Sequence, residues 1–380
     1  MTAQDRRAKN PLTGEDLVVR HTINETVDSA CISVLRVLNE CSDPISQTDV
    51  AQQGDISRQA VSTHLAVLRD RGFVNSHDTG VELTAGGLLL LKVIESCLRT
   101  IPTEAKQPND RSSYPTEKLA YLTRSPHPIS VLEELEKRSH RMSELQRAAN
   151  SSPSRPTVGR ILDVFTEYRW SQDDGGQQQI TSDGTRVLDA YGDLEMAVEQ
   201  LIKKAPWLLR LPPADATFPI HELADADMIV SYPTRPSVLW TALKLYDRKT
   251  SHFRALCSIF NPILFHSYRG LLELGIEAEA ILDLSTYLEA IKHPQTQFVH
   301  KPKYDNYQPL VLDHAHTLGI GIYDDRKIAI GAYNELGNGN TIAMIISSNK
   351  QLVDWGIGLY ESYRAKARPA SEVRTNRSDS

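Results

Sequence analysis

The chain is poor in the features that mark a membrane, secreted or cofactor-bearing protein. No stretch approaches the roughly 18 consecutive apolar residues of a membrane span, and residues 1–20 are polar where a signal peptide needs an apolar core. A cytoplasmic protein without a membrane partner is expected. Only four cysteines occur among 380 residues, Cys31, Cys41, Cys97 and Cys257, with no CxxC pair and no histidine at zinc-finger spacing. That excludes a disulfide framework and predicts buried structural thiols. No glycine-rich turn leads into a phosphate cradle, and neither a nucleophile elbow nor an HExxH pair is present. No cofactor, no metal and no enzymatic activity are therefore expected.

A basic surplus is also missing. The net charge is −6 at pH 7, whereas nucleic-acid binders usually carry excess Lys and Arg, so any contact with DNA must be local. Arginine outnumbers lysine 27 to 15, which suits bidentate contact with phosphate or guanine.

What is present is ordinary globular composition, 40% hydrophobic and 24% charged, enough for two or three cores. Residues 1–19 and 369–380 are polar and lack apolar periodicity, so they read as flexible tails. Pro102, Pro108 and Pro115 mark a linker at residues 103–116. Pro212, Pro213 and Pro219 mark a second at residues 206–220. Three folded units remain, at residues 20–102, 117–205 and 221–368.

The first two units repeat each other at an offset of 97 residues. Val34 and Leu35 fall on Val131 and Leu132, Ser57 and Arg58 on Ser154 and Arg155, Val61 on Val158, Phe73 on Trp170, Thr84 on Thr181, and Gly87 on Gly184. Keeping register from the first helix to the last without a gap is the mark of a duplicated unit.

Each copy reads as three helices, a hairpin and a closing helix. Val27, Ala30, Cys31, Val34, Leu35 and Leu38 form one apolar helical stripe. Ser46 with Asp49 is placed to cap the next helix, and Ile45 to staple against Val50. Ser57 can cap a third helix that buries Ala60, Val61, Leu65 and Leu68. Residues 71–74 and 81–84 alternate as two strands around a polar tip at residues 76–80. In the second copy Ser143 with Gln146 is expected to cap the second helix, residues 154–168 form the third, and the tip is Asp173-Asp174-Gly175-Gly176.

This is the plan of a winged helix-turn-helix, in which a short helix braces another whose free face enters the major groove. That face needs small residues for close approach and Arg, Gln or Asn to pair with bases or phosphate. Copy one offers Arg58, Gln59, Ser62, Thr63, His64 and Arg69. Copy two offers Ser154, Arg155, Thr157, Gly159 and Arg160, with Pro156 tolerated in the first turn. The acidic tip Asp173-Asp174 argues against that wing gripping phosphate.

The run Ser57-Arg58-Gln59-Ala60-Val61-Ser62-Thr63-His64-Leu65, followed by Leu68-Arg69-Asp70-Arg71-Gly72-Phe73-Val74, resembles the winged helix of ArsR- and MarR-type prokaryotic regulators. Leu122-Thr123-Arg124-Ser125-Pro126-His127 with Ser154-Arg155-Pro156-Thr157-Val158-Gly159-Arg160-Ile161-Leu162 resembles the archaeal methanogenesis regulatory protein family, abundant in haloarchaea. That likeness continues into Gly319-Ile320-Gly321-Ile322-Tyr323-Asp324-Asp325 and residues 355–363. Typical members carry a single winged helix, so the N-terminal copy is an addition. The resemblance implies double-stranded DNA as partner and an effector-sensing C-terminal domain.

In that last unit, strand-like runs at residues 227–232, 253–260, 278–283, 310–314, 318–323, 327–333 and 341–347 alternate with helices and end on a helix burying Leu352, Trp355, Leu359 and Tyr363, with a turn at residues 337–340. The expected class is α+β and multidomain: two tandem winged helix-turn-helix domains followed by a mixed-sheet α/β sensor domain. Asp313-His314-Ala315-His316 holds two imidazoles at i and i+2 but lacks a clear third metal ligand. Asp324-Asp325 sits between strands, where Asp commonly serves a turn. Tyr304, His314, His316 and Tyr323 place polar rings among apolar strands and are the candidate borders of a small-molecule effector pocket. The sum is a DNA-binding transcription regulator, expected as a homodimer by the usual symmetry of such readers. Its rivals are a winged-helix adaptor for protein and a small-molecule enzyme with DNA-binding appendages.

Overall fold

The computed structural model describes residues 5–102, 116–231, 237–245, 250–300, 304–333 and 341–373. The chain divides into two compact units, Met1–Ala205 and Pro206–Ser380. Of the linker expected at residues 103–116, all but Thr116, which opens a helix, lies outside the described residues, as does the turn at residues 337–340.

The first unit begins with strands β1 (Arg7–Lys9) and β2 (Asp16–Val18), paired antiparallel, where a flexible tail was expected. Asn10 closes the loop by accepting from the Gly14 and Leu12 backbone. Then follow α1 (Val19–Thr26), α2 (Ser29–Glu40), α3 (Gln47–Gln53), α4 (Arg58–Asp70), the hairpin β3 (Val74–His77) with β4 (Gly80–Leu83), and α5 (Ala85–Thr100). The second set is α6 (Thr116–Thr123), α7 (Pro126–Lys137), α8 (Met142–Ala148), α9 (Arg155–Glu167), the hairpin β5 (Ser171–Asp174) with β6 (Gln177–Ile180), and α10 (Ser182–Lys203). Every member of the second set except α8 starts 97 residues after its counterpart.

The same local chemistry starts matching helices. Ser57 accepts from the Ala60 amide at 3.2 Å and Ser154 from Thr157 at 3.3 Å, opening α4 and α9. Thr84 and Thr181 cap α5 and α10 through Gly87 and Gly184, each at 3.1 Å, and also donate to the Gly72 and Arg169 carbonyls. A Cβ at Gly87 would stand 2.1 Å from the Phe73 carbonyl oxygen, and one at Gly184 would stand 2.1 Å from that of Trp170. Both glycines therefore exist because the closing helix crosses directly over the strand-opening residue.

The exception, α8, corrects an expectation. It begins at Met142 rather than after Ser143, because the Glu144 carboxylate reaches back to the Arg141 amide at 2.8 Å and supplies the cap from the third position. The Ile45 backbone in addition bridges Val81 of β4.

A single turn, α11 (Ala205–Leu208), follows α10. Residues 206–220, expected to be a linker, bury Trp207, Leu211 and Phe218 and belong to the second unit. That unit continues with β7 (Asp227–Val230), α12 (Ser237–Ala242), β8 (His252–Cys257), α13 (Pro262–Glu273), β9 (Glu277–Asp283), α14 (Leu284–Lys292), β10 (Tyr307–Leu312), β11 (Leu318–Tyr323), β12 (Lys327–Tyr333), β13 (Thr341–Ser347), α15 (Lys350–Arg364) and β14 (Arg368–Pro369). The eight strands form one mixed sheet in the order β14-β10-β9-β8-β11-β12-β13-β7. β8, β9 and β10 are parallel and joined through α13 and α14, as parallel neighbours require. The remaining pairings are antiparallel.

Helices α12, α13 and α14 share one core with Phe253, Ala255, Leu282 and Met344 on one sheet face. On the other face α15 packs over β11 and β12, with Gly356 held against Ile328 and Ile330. The expected tail beyond residue 368 supplies β14 and buries Ala370 and Val373. Trp355 and Tyr363 are only half-buried and turn toward Asp215, whose backbone carbonyl and carboxylate they reach at 3.1 and 3.5 Å.

Candidate nucleic-acid interface

The exposed faces of α4 and α9 follow from what those helices bury. α4 commits Val61, Leu65 and Leu68 to the core, and α9 commits Val158, Ile161, Leu162 and Phe165. What remains outward on α4 is Arg58, Gln59, Ser62, Thr63 and Arg69, and on α9 Arg155 and Arg160, with Thr157 and Gly159 half-buried.

Not every expected contact residue is free for a partner. The Arg69 guanidinium donates to Ser76 of β3 at 2.8 Å and ties the helix to its hairpin. His64 is turned back to Asp28, the cap of α2, at 3.3 Å. Ser154 is occupied as a cap and shares a 2.7 Å hydrogen bond with the Thr157 hydroxyl. Thr63 donates to the Gln59 carbonyl within its own helix. Gly159 is open: a Cβ there meets only the end of the Met142 side chain at 3.9 Å. Arg58, Arg155 and Arg160 are exposed and make no ion pair among the described residues.

One residue escaped the sequence reading. Arg147 is exposed on α8, the helix that braces α9, and is likewise without an ion pair among the described residues. The first helix of a helix-turn-helix crosses the DNA backbone, so an outward arginine at that place was the available signal. Copy one has no arginine on α3, so the second pair of helices carries three arginines, Arg147, Arg155 and Arg160, to the two of the first, Arg58 and Arg69. Its hairpin tip is acidic: Asp173 and Asp174 are exposed, held by Gln178 and Gln179 at 2.8 and 3.2 Å.

The four rings expected to border one pocket are not brought together. Tyr323 ends β11 beside Phe253, at the end of the sheet where β8 and β10 begin, with its ring centroid 5.2 Å from that of Phe253. Tyr304 lies just ahead of β10 and donates to Glu273 at 3.0 Å. His314 and His316 follow the opposite end of β10. His314 is exposed, while His316 is buried, and burial depresses the latter to about 4. The Asp283 carboxylate and the Leu318 backbone favour its protonated form without outweighing that burial, and His314 works against them. The described cavity, 740 Å³ in volume, is lined by none of these four but by Arg254, Arg364, Glu277, Glu279 and Asp305 among others.

Asp324 and Asp325 both have positive φ, 50° and 54°, as the central residues of the β11–β12 turn. Asp324 accepts from the Ser251 and His252 amides, each at 2.9 Å, and Asp325 pairs with Arg254. Among the described residues no group of three or more His, Cys, Asp or Glu is placed to hold a metal, and no helix is long and apolar enough to cross a membrane. Burial pushes the Cys31 and Cys97 thiols up to about 12 and Cys257 to about 11, so all three stay protonated.

The protein is α+β, with a large mixed sheet and many helices, and its comparisons suggest a transcription regulator. Residues 116–201 match the family model described as the HVO_A0261 N-terminal domain, and residues 241–366 match that of the methanogenesis regulatory protein FilR1, middle domain. Together the two matches support an archaeal regulator family. No curated protein matches.

Among solved structures, NucT from Helicobacter pylori is 13% identical over 38% of this chain and 98% of its own, with a TM-score of 0.31. TrmBL2, titled an archaeal chromatin protein with a novel mode of DNA binding, is 12% identical over 64% of this chain and 93% of its own, at 0.29. Nuc from Salmonella typhimurium, a phospholipase D family member, is 11% identical over 40% of this chain and 99% of its own, at 0.31. Likenesses at these scores carry no argument about fold or function.

Proposed function

We propose that the protein is a cytoplasmic, sequence-specific DNA-binding transcription regulator in which each set of three helices, hairpin and closing helix is a winged helix-turn-helix. α4 and α9 are its reading helices. The observation that carries this is the pair of outward faces with exposed arginines at matching first-turn positions, Arg58 and Arg155, each beside a serine cap and without an ion pair among the described residues. A first-turn arginine can meet phosphate or a guanine edge, and Arg160, one turn on, is placed for a base.

In this reading the second unit senses a small-molecule effector or a partner, and the protein is not an enzyme. This reading assigns the effector to the 740 Å³ cavity at the start of β8, β9 and β10, whose charged lining, Arg254, Arg364, Glu277 and Glu279 among it, suits a polar ligand. Incubating the full chain with sheared genomic DNA and sequencing what it retains tests the reading. Enrichment of a common motif upstream of genes is expected, and retention without sequence preference would overturn it.

A further inference from the structure

In the first unit the most extensive contact between the two copies sets like on like, and unlike contacts of α1 and β1 with α10 flank it. α1 lies against α6, its counterpart, and α5 lies along α10, its counterpart, in the most extensive helix pairing of the unit. Meeting of equivalent surfaces is the mark of an isologous, two-fold pairing, whereas a head-to-tail arrangement would set unlike elements together. One meeting point lies within a residue of equivalence. Asp193 of α10 lies near enough to Cys97 of α5 to help raise its thiol, after burial, and Asp193 is one residue from the position that the repeat assigns to Cys97.

The sequence shows why the two heads hold together. α5 buries Leu89, Leu90 and Leu91 in succession, which one stripe facing one core cannot do. α10 buries Val187, Tyr191, Leu194, Val198 and Leu201 along most of its 22 residues. Separated heads would expose these apolar faces to water.

Polar ties add to them. Arg20, 5% exposed, donates to the Thr123 carbonyl at 2.8 Å while paired with Asp5 at 2.9 Å, and the Thr123 hydroxyl donates to Asn24 at 3.1 Å. Arg6 of the N-terminal segment binds Glu195 and Glu199 of α10 at 3.4 and 2.9 Å.

We infer that the chain is its own dimer: one molecule holds two unlike reading heads in a two-fold-like pair and engages one DNA duplex at two unlike half-sites. This rests on the DNA-reading proposal above. A homodimer of single-headed readers presents identical helices and selects an inverted repeat. Here the paired readers differ, Arg58, Gln59, Ser62 and Thr63 on one side and Arg155, Thr157, Gly159 and Arg160 on the other. The operator is then composite and lacks palindromic symmetry.

The test uses the full chain and a duplex it selects from a random-sequence pool. Its mass is measured alone and on DNA, and selection is repeated with Arg58→Ala and with Arg160→Ala. The expected result is a free mass near 42.5 kDa, one chain per duplex, and two dissimilar half-sites, each variant relaxing base preference about tenfold in a different one. Two chains on an inverted repeat, or both variants acting on the same half-site, would overturn the inference while leaving DNA reading intact. Failure of the chain to enrich any sequence would overturn the DNA reading and this inference with it.

Discussion

At the scale of single residues, Arg160 and His316 make separable predictions. Arg160 is exposed and has no ion pair among the described residues, so truncation should act on binding alone. Arg160→Ala should cost about 1–3 kcal/mol on the specific duplex and little on random DNA, with an unchanged unfolding midpoint. Titrating both duplexes by fluorescence anisotropy checks it; equal losses on both would show a phosphate contact instead.

His316 acts on stability. Its folded pKa is near 4 against an ordinary 6.5, so between those values the unfolded chain binds more protons. Stability is then whole above pH 6.5 and is lost as pH falls toward 4, by about 3 kcal/mol for a shift of this size. Denaturant unfolding at pH 7 and pH 4 should show that loss in wild type, and His316→Leu should remove it. An unchanged pH slope in the variant would assign the loss to other groups.

At the scale of elements, the repeat was legible because apolar spacing and caps recur at one offset, and the start of every second-copy element but α8 follows from it. α8 was misplaced because the repeat and Ser143 pointed to one cap, while Glu144 provides another two residues earlier. The β1–β2 hairpin was missed because two three-residue strands carry no periodicity, and the segment is ordered by Asn10 and by Arg6 on α10. β11, β12 and β13 were visible as apolar runs bounded by turns. The ring residues were legible individually but not their placement at opposite ends of the sheet, since that depends on which strands neighbour β10 and β11. The duplicated crossing of closing helix over hairpin yields a further prediction. Gly87→Ala and Gly184→Ala each force a methyl to 2.1 Å from a carbonyl oxygen. Each should destabilise by about 2–3 kcal/mol or more, read by thermal unfolding, whereas Gly159→Ala in the open site should stay within about 1 kcal/mol of wild type. A mild effect at Gly184 would mean that the helix and hairpin of copy two sit farther apart.

At the scale of the whole molecule, a chain of net charge −6 approaches a polyanion through a few arginines only. If Arg58, Arg147, Arg155 and Arg160, which make no ion pair among the described residues, are the cations that meet phosphate, the slope of log affinity against log salt should be about −4. Binding should therefore survive salt that strips strongly basic repressors, and a slope near −10 would demand contacts from elsewhere. The central claim is that both heads read DNA through matching helices. The most direct measurement is a gel shift of wild type, Arg58→Ala, Arg155→Ala and the double variant on the selected duplex. Weaker binding in each single variant and still weaker binding in the double is the predicted result; wild-type affinity in all three would contradict it.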